Sequence, residues 1–259
     1  MRGPTRWTYD TRLPPVRLAI ISDIHSNLPA LEAVLSAVEE SDVDELWCLG
    51  DVVGYGAQPD ECTKLVSERC ALSLVGNHDL AVLDDIEVSA FSPSAAEAVT
   101  WTKGHASPET LEFLRGLEPA DESREVALYH ASPRDPVWEY VLWADQAEEC
   151  LEVQSARVSL IGHSHVALFF VDPDGDSEVR GGHAEPGTKL EIGEGRWLIN
   201  PGSVGQPRDG DPRAAWMVLD TEDWTTTYRR TPYDIDRAAE GIAEAKLPEH
   251  LGARLYVGQ

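Results

Sequence analysis

The feature that most constrains this chain is a unit that returns five times: a short apolar run ending in a loop that carries aspartate, asparagine or histidine. The runs are VRLAIIS (16–22), ELWCLGD (45–51), ALSLVGNHD (71–79), EVALYH (125–130) and RVSLIGHSH (157–165). Short, apolar and partly β-branched, they read as buried strands. Helical patterns fall between them. Asn27 can cap the first, Pro29 fits its opening turn, and Leu31, Val34, Leu35 and Val38 recur on one face. Others are expected from Pro59 to about Arg69, near 94–103 and 108–116, and over Asp145–Gln154. Strands alternating with helices predict an α/β domain whose functional loops lie at strand ends.

The second half changes character. VALFFVD, KLEIGEG, RWLINPG, AAWMVLD and TTTYRRT are joined by short turn-rich connectors, which predicts an antiparallel sheet rather than more parallel crossovers. Residues 234–255 read as two short helices broken near Leu247–Pro248. The Pro-containing stretch 1–15 is expected to be a flexible tail, and 16–259 a single domain. A chain of 259 residues can bury a core without disulfides.

A net charge of −25 repels phosphate backbones and anionic lipid, so neither long nucleic acid nor a membrane is an expected partner. Cys48, Cys62, Cys70 and Cys150 form no C-x-x-C pair and are expected to be reduced. The start lacks the apolar stretch of a secretory signal, and no apolar run approaches the ~18 residues of a membrane span. These features predict a cytoplasmic protein. Its oligomeric state leaves no trace in the sequence.

The chemistry collects where the runs end: Asp23 and His25, then Asp51, then Asn77 with His78 and Asp79, then His130, then His163 and His165. Alternate residues of an extended segment point the same way, so Asp23 with His25, and His163 with His165, are each expected to present two ligands to one side. Gly50, Gly76 and Gly162 precede members of the series, where a missing Cβ permits close approach. His105, His183 and His250 fall outside it. Imidazoles, carboxylates and an amide without thiolate suit Mn, Fe, Co, Ni or Zn better than Mg or Ca.

SDIHSNLPALEAV, LGDVVGYGAQPDE, VGNHD, LYHASPRDPVWEY, IGHSHV and NPGSVGQPRDGDPRA resemble the successive motifs of the calcineurin-like metallophosphoesterases. The chain looks most similar to the small bacterial and archaeal phosphodiesterases of the YfcE-like group. The resemblance implies a four-layer αββα sandwich, two mixed sheets flanked by helices. It also implies two divalent transition-metal ions, one held by Asp23, His25, Asp51 and His165 and the other by Asp51, Asn77, His130 and His163. The implied reaction is hydrolysis of small phosphodiesters by a metal-bridging hydroxide attacking phosphorus. His78 would serve as the general acid, with Asp79 either orienting it or acting as a local cap at the start of Asp79–Leu83. Asn27, Arg134 and Arg208 are candidates for substrate contact, and Tyr55 for the pocket border. The alternatives are a phosphomonoesterase or protein phosphatase of the same superfamily, and a metal-binding scaffold without turnover. Protein phosphatases usually continue the Asp51 motif with Asp-Arg-Gly and carry G-N-H-E; this chain reads GDVVGYG and G-N-H-D, which moves the expectation away from phosphoprotein substrates and from symmetrical dinucleoside tetraphosphate hydrolases. Four histidine ligands predict metal loss as pH falls through about 6.5 toward 5.

Overall fold

The computed structural model describes residues 16–175 and 178–259; the tail expected over 1–15 lies outside the described residues. One sheet runs β3 (Leu72–Ser73), β2 (Glu45–Cys48), β1 (Arg17–Ile21), β11 (Ala214–Asp220), β12 (Thr225–Thr231), β9 (Lys189–Glu191). The other runs β4 (Ala120–Asp121), β5 (Val126–Tyr129), β6 (Val158–Leu160), β10 (Arg196–Pro201), β7 (Ala167–Asp172), β8 (Arg180–His183). Parallel pairing links β1, β2 and β3 in the first sheet and β5, β6 and β10 in the second; the remaining pairs are antiparallel.

The runs are largely apolar because their strands are covered on both faces. Leu18, Ile20 and Trp47 of one sheet pack against Val126, Leu128, Leu160 and Ile199 of the other. On the opposite face Ala19, Ile21 and Cys48 meet Leu31, Val34, Leu35 and Val38 of α1 (Leu28–Glu39) and Cys62 and Val66 of α2 (Pro59–Arg69). Ala127, Tyr129 and Leu198 face α6 (Ala144–Val153) on the outside of the second sheet. Helix, sheet, sheet, helix is the order of layers, as the resemblance implied.

α3 (Asn77–Val82), α4 (Pro93–His105) and α5 (Pro108–Arg115) complete the first helical layer through Ala81, Val99 and Leu114. α7 (Ile235–Glu244) and α8 (Glu249–Ala253) occupy the expected C-terminal segment and break where Leu247–Pro248 predicts. Ala238, Ile242, Leu251 and the following Leu255 pack with Tyr55, which brings this segment beside the loop after Asp51. Among the described residues, no helix is long and apolar enough to cross a membrane.

Three details differ from the sequence expectation. The later strands do not form one antiparallel sheet: they divide between the two sheets, and β10 pairs parallel with β6 in the register Trp197↔Val158. In ALSLVGNHD only Leu72–Ser73 pairs as strand, and Asn77 already opens a helix capped by Gly76. The polar run Arg180–His183 carries no strand signal, yet it pairs with β7 at the sheet edge.

Candidate metal centre

The donors reach one place by a route other than strand alternation. Asp23, His25, Asp51, His163 and His165 all have positive φ, between 51° and 60°. They lie just past the ends of β1, β2 and β6, where the chain turns out of the sheet. A left-handed conformation costs a non-glycine residue of order 1–3 kcal/mol and persists where the surroundings enforce it. Here backbone bonds between loops enforce it. Asp23 N–H donates to Gly50 O at 3.0 Å, His25 N–H to Asp51 O at 3.0 Å, Gly205 N–H to Asp23 O at 3.0 Å and Gly162 N–H to His130 O at 2.7 Å.

Two groups of donor atoms result, Asp23, His25, Asp51 and His165 in one and Asp51, His130 and His163 in the other, each within 4.8 Å. Asp51 belongs to both. Its Oδ2 lies 3.5 Å from His25 Nε2 and 3.7 Å from His130 Nε2, is buried, and has no hydrogen-bond partner among the described residues. Its Oδ1 accepts the His78 N–H at 2.8 Å. Asn77 joins the second group, with Oδ1 3.2 Å from His130 Nε2.

Each of the four imidazoles turns one nitrogen to a backbone carbonyl: His25 Nδ1 to Val53 at 3.1 Å, His130 Nδ1 to Leu49 at 2.9 Å, His163 Nε2 to Trp138 at 3.2 Å and His165 Nδ1 to Gln206 at 2.7 Å. A carbonyl only accepts, so that nitrogen carries the proton and the other presents a bare lone pair. Two such lone pairs, on His25 Nε2 and His165 Nε2, face each other at 3.0 Å, an arrangement that a cation between them relieves. Donors bound to one ion at about 2.0–2.2 Å stand roughly 3 Å apart, so these residues fit divalent metal. The absence of thiolate from the set favours transition metals taken by imidazole and carboxylate.

Electrostatics point the same way. Burial lifts Asp23 to about 7, with the His130 charge opposing and Asp51 adding, and also raises Asp51. Burial likewise holds His25, His163 and His165 well below the ordinary imidazole value. Without a cation the site therefore prefers to be neutral. The raised Asp23 keeps its proton to about pH 7 when folded, whereas an unfolded aspartate loses it near 4. In metal-free protein this group's contribution to stability thus falls as pH rises between those values. Metal must displace that proton below pH 7, and Asp51 is raised as well, so affinity for Mn²⁺ is expected to fall at least about tenfold per pH unit below 7. Metal is thus lost as pH falls, in the direction the sequence predicts, but the competing protons sit on the carboxylates Asp23 and Asp51 rather than on His25, His163 and His165. Calorimetric titration at pH 6 and pH 8 checks this; equal affinities would contradict it.

His78 is buried beside the cluster, its ring centroid 4.8 Å from that of His25 and 4.4 Å from that of Tyr55, and its Nδ1 has no partner among the described residues. Glycines make room for this packing. A Cβ on Gly76 would stand 2.1 Å from Asp51 Oδ1, and one on Gly54, at φ +93°, 2.5 Å from His78 Nδ1. Asp79 does not orient His78 by a side-chain bond. Both its oxygens are taken by backbone amides, Val53 and Gly76 at 2.9 Å and Val52 at 3.2 Å, so it fixes the Asp51 loop to the start of α3. Asp79→Ala leaves three buried donors unpaired and is expected to destabilise the fold by about 2–3 kcal/mol, read from urea midpoints.

The candidate substrate residues separate. Asn27 is committed to structure, its Oδ1 accepting from Ala30 N–H at 3.2 Å and its Nδ2 donating to Gly205 O at 2.8 Å. Arg134 is ion-paired with Glu139 at 3.5 Å and with Glu149. Arg208 has no carboxylate partner among the described residues. It donates to Gln206 Oε1 at 2.9 Å and Tyr55 OH at 3.4 Å, and its charge acts on Asp23, Asp51 and His78. Sequence reasoning missed Asn200 and Ser203. Asn200 Nδ2 donates to Gly162 O at 2.7 Å and Ser203 Oγ to Asp23 O at 2.8 Å, which holds two ligand loops together. Polar residues ending an apolar strand, in RWLINPGSVGQ, were the available signal.

A sandwich of two mixed sheets with a His/Asp donor cluster at its strand ends defines the metallophosphoesterase class. The sequence model of the calcineurin-like phosphoesterase superfamily domain matches residues 16–224. An uncharacterized protein of Methanocaldococcus jannaschii is 40% identical over 248 residues, 93% of this chain and 98% of that one. A metallophosphoesterase from Sphaerobacter thermophilus superposes with a TM-score of 0.86 at 38% identity, over 95% of this chain and 100% of that one. The chain belongs to the calcineurin-like phosphoesterase superfamily. A more local likeness, 37% identity over 67 residues and 25% of each chain, links it to the symmetrical bis(5′-nucleosyl)-tetraphosphatase of Actinobacillus pleuropneumoniae.

Proposed function

We propose that this protein is a hydrolase of small phosphodiesters that works with two divalent transition-metal ions sharing Asp51. The observation that carries the reading is the buried, unpartnered Asp51 Oδ2, which faces a histidine of each donor group. When bound, the ions supply Lewis acidity toward phosphoryl oxygens and bring the pKa of water into the neutral range. Their charge outweighs that of Asp23 and Asp51, so an acidic protein still attracts phosphate at this point. Arg208, without a carboxylate partner among the described residues, binds a phosphoryl oxygen beside the metals. His78 gives a proton to the departing oxygen. Four free thiols and a net charge of −25 suit the cytoplasm and a small anionic substrate rather than nucleic acid or membrane.

A nucleoside polyphosphate is the second reading, favoured by the local likeness to the tetraphosphatase. Hydrolysis of bis-p-nitrophenyl phosphate, p-nitrophenyl phosphate and diadenosine tetraphosphate by Mn²⁺-loaded protein separates the readings. The diester is expected to be cleaved fastest. Preference for the monoester or the tetraphosphate would move the assignment, and metal binding without turnover of any of the three would make the protein a scaffold.

A further inference from the structure

The donor cluster is bordered on the His78 and His163 side by a group of aromatic rings, of which Phe91 and Tyr55 also pack in the hydrophobic core. Trp138 and Tyr140 belong to none of the hydrophobic clusters formed by the described residues. Their ring partners are at the site. Trp138 lies edge-on to Phe91, centroids 5.1 Å apart, and Phe91 lies 4.9 Å from the His78 ring. Tyr140, 42% exposed, lies over the His163 ring at 4.1 Å. Tyr55, buried against the C-terminal helices, also packs on the His78 ring.

The loop presenting these rings is tied at many points. Ala131 N–H donates to Pro136 O at 3.0 Å, Asp135 N–H to Ser132 Oγ at 3.0 Å, and Val137 and Trp138 N–H to Asp135 Oδ1 at 3.0 and 3.1 Å. Arg134 braces it by pairing with Glu139 within the loop and Glu149 on α6. Trp138 O in turn accepts from His163, so the ring and a metal-ligand candidate are positioned by one segment. A half-buried indole held rigid beside a phosphate site, with Phe91 at its edge, suits one chemistry: a flat aromatic group attached to the phosphate.

We propose that Trp138, with Phe91 and Tyr140, forms a stacking shelf that selects phosphate esters carrying a nucleobase. The inference rests on the phosphodiesterase reading and names the substrate class of that site. Base–aromatic stacking is sequence-tolerant, so the shelf discriminates base from no base rather than one base from another.

Calorimetric binding of adenosine 5′-monophosphate and of ribose 5-phosphate to Mn²⁺-loaded protein isolates the base, since the phosphate and sugar are common to both. The nucleotide is expected to bind the wild-type protein about tenfold or more tightly than the sugar phosphate. Trp138→Ala brings that ratio to about one without changing the affinity for ribose 5-phosphate, whereas Trp138→Phe keeps most of it. Trp143→Ala, at a 67% exposed tryptophan, leaves it unchanged. A wild-type ratio near one, or a Trp138→Ala protein that retains the preference, would overturn the shelf. Failure of the underlying enzyme reading shows separately, as no hydrolysis of bis-p-nitrophenyl phosphate by the same preparation.

Discussion

Asp51→Asn is expected to lower kcat/KM for bis-p-nitrophenyl phosphate by about 10³-fold or more, because loss of metal-supplied charge stabilisation removes several kcal/mol from the transition state. The substitution is nearly isosteric. An amide oxygen can still accept the His78 N–H that Asp51 Oδ1 accepts at 2.8 Å. In place of the unpartnered Oδ2 it puts an NH₂ group facing His25 and His130, which competes for the lone pairs that a metal needs. Bound metal should therefore drop to one ion per chain or fewer. Stability moves in the opposite direction. Burial raises the Asp51 pKa, so at a pH where the unfolded carboxylate is charged this group opposes folding of the metal-free protein, and a neutral amide removes that penalty. The metal-free variant should thus melt above the metal-free parent at pH 8. A variant that turns over normally with a full complement of metal would contradict this.

His78→Ala produces a different pattern: metal binding unchanged, turnover lowered by about 10²–10⁴-fold. The ring is buried and lies against Tyr55 and Phe91, whereas the side chain of this segment that reaches the donor cluster is that of the neighbouring Asn77, its Oδ1 3.2 Å from His130 Nε2. Burial holds His78 well below the ordinary imidazole pKa, so it is neutral in the resting site, and an arriving phosphate anion favours its protonated form. The loss should depend on the leaving group. An alkoxide needs a proton and a nitrophenolate hardly does, so an alkyl diester should suffer far more than bis-p-nitrophenyl phosphate. Equal losses on both substrates would assign His78 to packing or phosphate binding instead.

What could be read in the sequence followed locality. Each donor stands at the end of an apolar run, so D-x-H, G-D, G-N-H and G-H-S-H announced themselves, and double-sided burial made the strands apolar enough to recognise. What escaped depends on contacts between distant segments. The left-handed conformations of Asp23, His25, His163 and His165 are imposed by neighbouring loops, and no local pattern distinguishes them from an extended D-x-H. Asp79 read either as a partner for the adjacent His78 or as a local cap; it caps the Gly76 amide, and its oxygens are also claimed by amides 26 and 27 residues earlier in the chain, which no local pattern announces. Arg134 looked available until the fold brought Glu149 beside it. Trp138 and Phe91 lie 47 positions apart in segments without periodicity, and only the closing of the loops over the cluster makes a surface of them. The parallel pairing of β10 with β6 is equally non-local, since the two intervening edge strands gave no sign of which sheet they would join.

The central claim, that two metals sharing Asp51 perform the hydrolysis, is tested most directly by titrating metal-free protein with Mn²⁺ while following cleavage of bis-p-nitrophenyl phosphate. The two donor groups predict activity that rises until about two equivalents per chain are bound and then stays level. Saturation at one equivalent, or turnover indifferent to metal, would contradict it.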